Sequence, residues 1–110
     1  MNIEIREIGN SAYLILLDGK FNMYTVPAFQ AKIEESAPPE RDFVLHLGGV
    51  PHIDSSALGT IIRLQLTLEQ KGRRLLLAEP SAGLMEIFRM TGTAQRFSIF
   101  ASEQEAIEQV

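Results

Sequence analysis

The sequence has 110 residues, of which 45% are hydrophobic and 22% are charged, a composition typical of a single globular domain. Its formal net charge of −4 argues against nucleic acid as the main partner, because phosphate backbones attract basic surfaces. The chain has no cysteine, which excludes disulfide scaffolds and thiol catalysis. It has only two histidines, too few for most zinc sites, and we expect neither a metal nor a cofactor.

No targeting or membrane-spanning segment is predicted. The first ten residues, "MNIEIREIGN", alternate apolar with polar or charged side chains and do not resemble a signal peptide. No apolar run approaches the ~20 residues that a bilayer-spanning helix needs. We therefore expect one cytoplasmic domain over residues 1–110, without membrane insertion.

The first half of the chain predicts a hairpin followed by a helix. The predicted elements, in chain order, are a strand over Ile3–Ile8, a turn at Gly9–Ser11, a strand over Ala12–Leu17, a loop at Asp18–Asn22 and a helix that begins near Thr25–Pro27 and ends at Ala37–Glu40.

The second half alternates strands with helices. Its predicted elements are a strand over Phe43–Leu47, a loop or bent strand end at Gly48–Pro51, a mostly buried helix from about Ser56 to Lys71, a strand over Arg73–Glu79, a short helix within Pro80–Gly92, a strand within Phe97–Ser102 and a capped helix over Ser102–Val110.

This order, β-β-α-β-α-β-α-β-α, predicts an α/β fold. The opening hairpin is antiparallel, whereas each helix that lies between two strands is a crossover between parallel strands. We expect a mixed sheet of about five strands covered by about four helices.

The segment "VPHIDSSALGTIIRLQ", Val50–Gln65, contains the most informative motif. Asp54, Ser55 and Ser56 lie where a buried strand ends and a helix begins, and a helix cap is the simplest explanation for them. Two features favour a site as well. The carboxyl ends of strands in α/β sheets collect ligands, and the motif has more hydroxyl groups than a cap requires. A phosphate there would be stabilised by free N–H groups and the helix dipole.

The segment "GVPHIDSSALG" resembles the signature of anti-sigma factor antagonists, the small phosphorylatable members of the STAS domain family. Two further segments strengthen the resemblance. "LDGKFN" is similar to the "LxGxLD" loop of that family, and "LMEIFRMTGTAQRFSIF" is similar to the segment that forms its late helix and strand. The resemblance covers nearly the whole chain and implies a STAS fold.

The resemblance implies a regulator rather than an enzyme. Ser56 would accept a phosphoryl group from an anti-sigma factor serine kinase of the histidine-kinase-like ATPase fold, with Ser55 as the fallback acceptor. The unphosphorylated protein would bind the kinase, and the phosphorylated protein would release it. A metal-dependent serine phosphatase would reset the switch. The free protein is expected to be a monomer.

The neighbouring residues receive roles from the same resemblance. Asp54 would cap the helix and orient the loop, and Ala57 and Gly59 would be small enough for a partner to approach the backbone. Leu58 would anchor the helix in the core or lie at the rim of the partner contact. Asn22 belongs to the same switch loop and stands where the family usually carries an aspartate.

Several other residues have a structural explanation. His46 is expected to be a hydrogen-bonded strand residue, and His52 an exposed loop residue. The segment Phe21–Tyr24 is equally compatible with partner contact and with the core.

A serine hydrolase is disfavoured, because neither the Gly-x-Ser-x-Gly elbow nor an obvious general base accompanies Ser56. The alternatives to a phosphorylated regulator are a non-phosphorylated STAS subunit of a lipid-transport ABC complex and a nucleotide-binding or scaffold module.

Overall fold

A computed structural model describes residues 1–110 and contains five strands and four helices in the predicted order. The elements are β1 (Asn2–Ile8), β2 (Ala12–Asp18), α1 (Val26–Ser36), β3 (Asp42–Gly49), α2 (Ser55–Gln70), β4 (Leu75–Ala78), α3 (Ala82–Met90), β5 (Ser98–Phe100) and α4 (Glu103–Ile107).

The five strands form one sheet in the order β1-β2-β3-β4-β5. The β1–β2 hairpin is antiparallel, with Asn2 opposite Asp18 and Ile8 opposite Ala12. The pairs β2–β3, β3–β4 and β4–β5 are all parallel. The mixed sheet of five strands covered by four helices is therefore confirmed, and its parallel part arises because α1, α2 and α3 each return the chain to the same end of the sheet.

The two faces of the sheet are covered unequally. Alternate strand residues point to opposite faces, and α1, α2 and α3 pack on one face while the short α4 packs on the other. The larger core includes Tyr13, Ile15, Phe43, Leu45, Leu75 and Leu77 from the strands and Phe29, Ile61, Leu68, Leu84 and Phe88 from the helices. The smaller core contains Leu14, Val44, Leu76, Ala78 and Ala106.

The helix ends follow local chemistry. Side chains of Asp54, Ser81 and Ser102 cap the starts of α2, α3 and α4 by accepting a backbone N–H bond. Gly72 follows the end of α2 with a φ of +72°, a left-handed conformation that suits glycine at that position. The predicted caps at Asp54, Gly72 and Ser102 are thus confirmed.

Several element boundaries differ from the predicted ones. Strand β3 extends through Gly48 and Gly49, and this extension is accompanied by a register shift against β2 between Leu16 and Asp18. The last helix is shorter than predicted, because only Glu103–Ile107 is helical. Leu66 on α2 is 42% exposed, so that helix is less buried than its apolar content suggested.

None of the four helices combines the length and the apolar character that crossing a bilayer requires.

Candidate functional site

The candidate site forms where two loops meet at the carboxyl end of the parallel strands. Residues 19–25 follow β2 and residues 50–54 follow β3, and these two strands are neighbours in the sheet. The loops are joined by a parallel bridge between Phe21 and Ile53 and by a hydrogen bond from Gly19 N to Gly49 O of 2.9 Å. Phe21 is fully buried and Ile53 is nearly so, which fixes both loops to the core.

Asp54 connects these loops to helix α2. Its Oδ1 accepts a hydrogen bond of 2.9 Å from Ala57 N, and its Oδ2 accepts one of 2.9 Å from Met23 N. The backbone N–H of Ala57, followed by that of Met23, lowers the pKa of the Asp54 carboxyl, because both bonds favour the charged form. The predicted double role of Asp54, as helix cap and loop organiser, is confirmed by these contacts.

Ser55 and Ser56 are the first two residues of α2, and both are exposed. The N–H groups of a helix's first turn have no partners within the helix, so both hydroxyls lie beside the positive end of the helix dipole. An added phosphoryl group would meet solvent and free N–H donors rather than the core. The position thus allows modification without unfolding of the domain.

The sequence left open whether the segment Phe21–Tyr24 lies in the core or on the surface, and the structure divides it between the two. Phe21 belongs to the core, where it contacts the ring of Phe29 at a centroid distance of 4.9 Å. Met23 and Tyr24 are 57% and 82% exposed. Since Asp54 holds Met23 N, these two exposed side chains lie in a loop that is fixed to the start of α2.

Asn22 shapes the same loop. Its Oδ1 accepts a hydrogen bond of 2.9 Å from Tyr24 N, and its backbone N donates one of 3.0 Å to Thr25 Oγ1. These bonds form a turn that leads into α1, whose N-cap Thr25 makes no capping bond with its own side chain. An amide oxygen therefore supports the turn here without adding a second negative charge beside Asp54.

The small and apolar residues that follow the serines divide between core and surface. Ala57 is fully buried and Leu58 is 9% exposed, so neither side chain is available to a partner. The small side chain of Ala57 fits against the core at the first turn of α2, and its part in a partner's approach to the backbone stays a prediction. Gly59 is half-buried, and its missing side chain leaves space beside Arg63.

Thr60 and Arg63 were not among the residues that the sequence pattern singled out. Thr60 Oγ1 donates to Ser56 O at 2.8 Å, and Arg63 Nη2 lies 3.3 Å from Thr60 Oγ1. The sequence could have indicated both residues, because they follow Ser56 by four and seven positions and residues so spaced share one face of a helix.

The two histidines have different positions: His46 lies on β3, and His52 lies in the loop of residues 50–54. His46 accepts a hydrogen bond of 3.2 Å from Gly48 N on Nδ1, and its Nε2 lies 3.3 Å from Glu79 Oε2. The backbone N–H of Glu103, and to a lesser extent His46, lowers the pKa of the Glu79 carboxyl. His46 is thus the hydrogen-bonded strand residue that was predicted, and His52 is exposed.

Comparison with known proteins identifies relatives along nearly the whole chain. A model of the STAS domain family matches residues 2–106. The anti-sigma F factor antagonist of Lysinibacillus sphaericus is 24% identical over 112 residues, which cover 100% of this chain and 95% of the relative. The anti-sigma-B factor antagonist of Bacillus subtilis strain 168 is 22% identical over 108 residues, which cover 98% of each chain.

Solved structures share the fold. The anti-sigma factor antagonist SpoIIAA in its unphosphorylated form has a TM-score of 0.79 at 22% identity, with 98% of this chain and 95% of that chain covered. SpoIIAA of Bacillus in its phosphorylated form has a TM-score of 0.73 over 98% of each chain, also at 22% identity. The murine anion transporter Slc26a9 contains a similar segment, with a TM-score of 0.80 at 19% identity over 94% of this chain and 18% of the transporter.

Proposed function

This chain belongs to the STAS domain family, and on that basis we propose that it is a partner-switching regulator of the anti-sigma factor antagonist type. In this proposal the unphosphorylated protein binds a serine kinase of the histidine-kinase-like ATPase fold in the cytoplasm. Phosphorylation of Ser56, with Ser55 as the second candidate, releases the kinase, and a metal-dependent serine phosphatase restores binding. The protein acts as a substrate and a binder, not as an enzyme.

The observation that carries the proposal is the position of the two serines. Both hydroxyls are exposed on the first turn of α2, at a strand end where the Asp54 contacts fix two loops. The exposed Met23 and Tyr24 supply an apolar contact surface on the neighbouring loop. Asn22, Asp54, Ser55 and Gly59 form the remainder of the proposed partner surface, whereas Ala57 and Leu58 support it from the core.

Electrostatics explains how one phosphoryl group could control binding. Phosphorylation adds about −1.5 to −2 charges and several strong acceptor oxygens. At the start of a helix that charge is tolerated by the folded domain. In a docked complex the same charge has to lose its water or face acidic groups, which weakens association.

The first test compares partner capture by wild-type protein with capture by Ser56→Asp and Ser55→Asp in lysate of the native host. We expect the wild type to retain an ATPase of the kinase fold, and the variant at the true acceptor to retain at least tenfold less, a difference of about 1.4 kcal/mol. Bound proteins are identified and quantified by mass spectrometry.

Ser11→Asp is the matched control for this test. Ser11 is exposed in the β1–β2 turn, at the opposite end of the sheet, and its replacement adds the same charge away from the proposed site. Phosphopeptide mapping of Ser55→Ala and Ser56→Ala after incubation with the captured kinase and ATP assigns the acceptor. Equal capture of the kinase by wild type and both motif variants would contradict the phosphorylation switch.

The second candidate is a non-phosphorylated STAS subunit of a membrane transport complex, such as one that moves lipids with an ABC ATPase. It is favoured by the likeness of this fold to a segment of an anion transporter. In that case wild type and the Asp variants would capture the same transport proteins in equal amounts.

A further inference from the structure

Arg63 lies on the face of α2 that leads back to the two serines. Its Nη2 lies 3.3 Å from Thr60 Oγ1. A Cβ atom built on Gly59 would lie 3.4 Å from Arg63 Nη1, so the guanidinium rests above the surface left open by that glycine. The side chain of Arg63 therefore runs along the helix toward the N-terminus, one turn closer to the serines than its own backbone.

Thr60 fixes this orientation. Its hydroxyl is buried, with 4% of the residue exposed, and donates its proton to Ser56 O at 2.8 Å. A hydroxyl has one proton and two lone pairs, so the oxygen that donates to Ser56 can accept a hydrogen bond from Arg63. The guanidinium is thereby linked through Thr60 to the backbone of the serine motif.

Helix geometry brings the guanidinium within reach of the first turn. Gly59 and Thr60 follow Ser55 and Ser56 by four residues each, a spacing that places Cβ atoms about 5–6 Å apart. A phosphoester extends a serine side chain by an oxygen–phosphorus and a phosphorus–oxygen bond. Because the guanidinium lies beside Gly59 and Thr60, helix spacing places it one turn from Ser55 and Ser56, in the direction in which a phosphoryl group on either serine would extend.

Arg63 has no carboxylate partner that would compete strongly for it. It takes part in none of the ion pairs of the structure, which involve other arginines and His46. Glu34 on α1 lines the same groove as Arg63, a cavity of about 280 Å³ between α1 and α2, but the two residues form no ion pair. Asp54 is already occupied by Ala57 N and Met23 N.

We propose that Arg63 is a phosphate-binding residue of the phosphorylated state: its guanidinium binds the phosphoryl group of the modified serine on the same helix. The inference rests on the proposed function, because it concerns the form that the kinase would produce. Arginine suits this role, since its planar fork of N–H donors matches phosphate oxygens. The pair would hold the phosphoryl group against the α2 surface that faces the α1–α2 groove.

The test measures the second pKa of phosphoserine in the intact protein by ³¹P NMR titration. Phosphoserine is installed at residue 56, and in a second preparation at residue 55, by genetic encoding, so no kinase is needed. The ordinary value lies near 6. We expect Arg63→Gln to raise the pKa at one of the two sites by about half a unit, because a nearby cation favours the dianion and solvent weakens the effect.

Two further variants separate a specific pair from a general charge effect. Arg63→Lys retains the charge and should preserve most of the lowered pKa. Arg73→Gln removes the same charge from an exposed arginine beyond the far end of α2 and should leave the pKa unchanged. The shift caused by Arg63→Gln should also shrink in 1 M salt, where charges are screened within about 3 Å.

An unchanged phosphoserine pKa in Arg63→Gln at both sites, or an equal shift in Arg73→Gln, would overturn the inference. This result is independent of the partner experiment, because the phosphoryl group is installed without the kinase. A failed phosphorylation switch would show instead as equal kinase capture by wild type and Asp variants.

Discussion

At the scale of single residues, Asp54 has the largest effect on the geometry of the site. One carboxylate oxygen accepts a hydrogen bond from Ala57 N and caps the start of α2. The other accepts a hydrogen bond from Met23 N and fixes the loop of residues 19–25. Because both bonds favour the charged form, the pKa of this carboxyl is lower in the folded protein than in the unfolded chain. The carboxylate therefore stabilises the fold above the unfolded pKa, near 4, and its contribution is lost as the pH falls through the folded value.

We expect Asp54→Ala to lower the urea midpoint of unfolding at pH 7 and to lower it less at pH 3, because pH 3 lies below the unfolded pKa and the lowered folded pKa then contributes less stability. Asp54→Asn keeps one acceptor oxygen and a good capping residue, so it should retain more stability than the alanine variant at pH 7. Urea unfolding followed by circular dichroism measures both. A loss of stability in Asp54→Ala that is independent of pH would contradict this account of the carboxylate.

At the scale of elements, the close approach of β3 to β2 depends on Gly49. A Cβ atom at this position would lie 2.7 Å from Leu17 O and 2.7 Å from Asp18 Oδ1, and the backbone oxygen cannot move away without disturbing β2. The register between the two strands shifts at this point, and Gly19 N donates to Gly49 O. The absence of a side chain at Gly49 thus allows the two site loops to leave the sheet side by side.

Gly49→Ala and Gly83→Ala form a matched pair with opposite expected effects. Gly49→Ala should destabilise the protein by about 1–3 kcal/mol through overpacking. Gly83 lies on the exposed side of α3, where an added Cβ would have its nearest contact at 3.7 Å, from Ser81 Oγ. Gly83→Ala should stabilise by about 0.5–1 kcal/mol through helix propensity. Chemical denaturation gives both values, and equal effects of the two changes would refute the argument from space.

At the scale of the whole molecule, the exposed large hydrophobic residues are distributed unevenly about the proposed site. They are Met23, Tyr24, Leu66 and Met90, and the first two are consecutive and lie beside the serine motif. Met90 ends α3, at the opposite end of the sheet, because a crossover helix runs antiparallel to its strands. An exposed tyrosine beside a methionine is a composition typical of binding surfaces.

We expect Tyr24→Ser to weaken binding to the captured kinase about tenfold, while Met90→Ser leaves binding unchanged. Both residues are exposed, so neither change should alter the free energy of unfolding by more than about 0.5 kcal/mol. Titration calorimetry with purified kinase measures the affinity, and thermal unfolding provides the stability control. Equal affinities of the two variants would remove Tyr24 from the partner surface.

The residue sequence by itself determined the order of elements, the hairpin and the principal caps. Each of these depends on neighbouring residues: alternation of apolar side chains for strands, an apolar face for helices, Asp54 and Ser102 before helices and Gly72 after one. Both β4 and α4 are shorter than predicted, because the residues at the ends of an element depend on what they pack against.

Only the tertiary structure decided which residues of the motif face outward. The sequence grouped Ala57 and Leu58 with the serines and left Phe21 and Tyr24 undivided, whereas packing buries Ala57, Leu58 and Phe21 and exposes Tyr24. The contact of Asp54 with Met23 spans 31 positions in the chain and exists because two parallel strands end side by side. Local patterns specify elements, but the direction of a side chain at their junction depends on residues that are distant in sequence and adjacent in space.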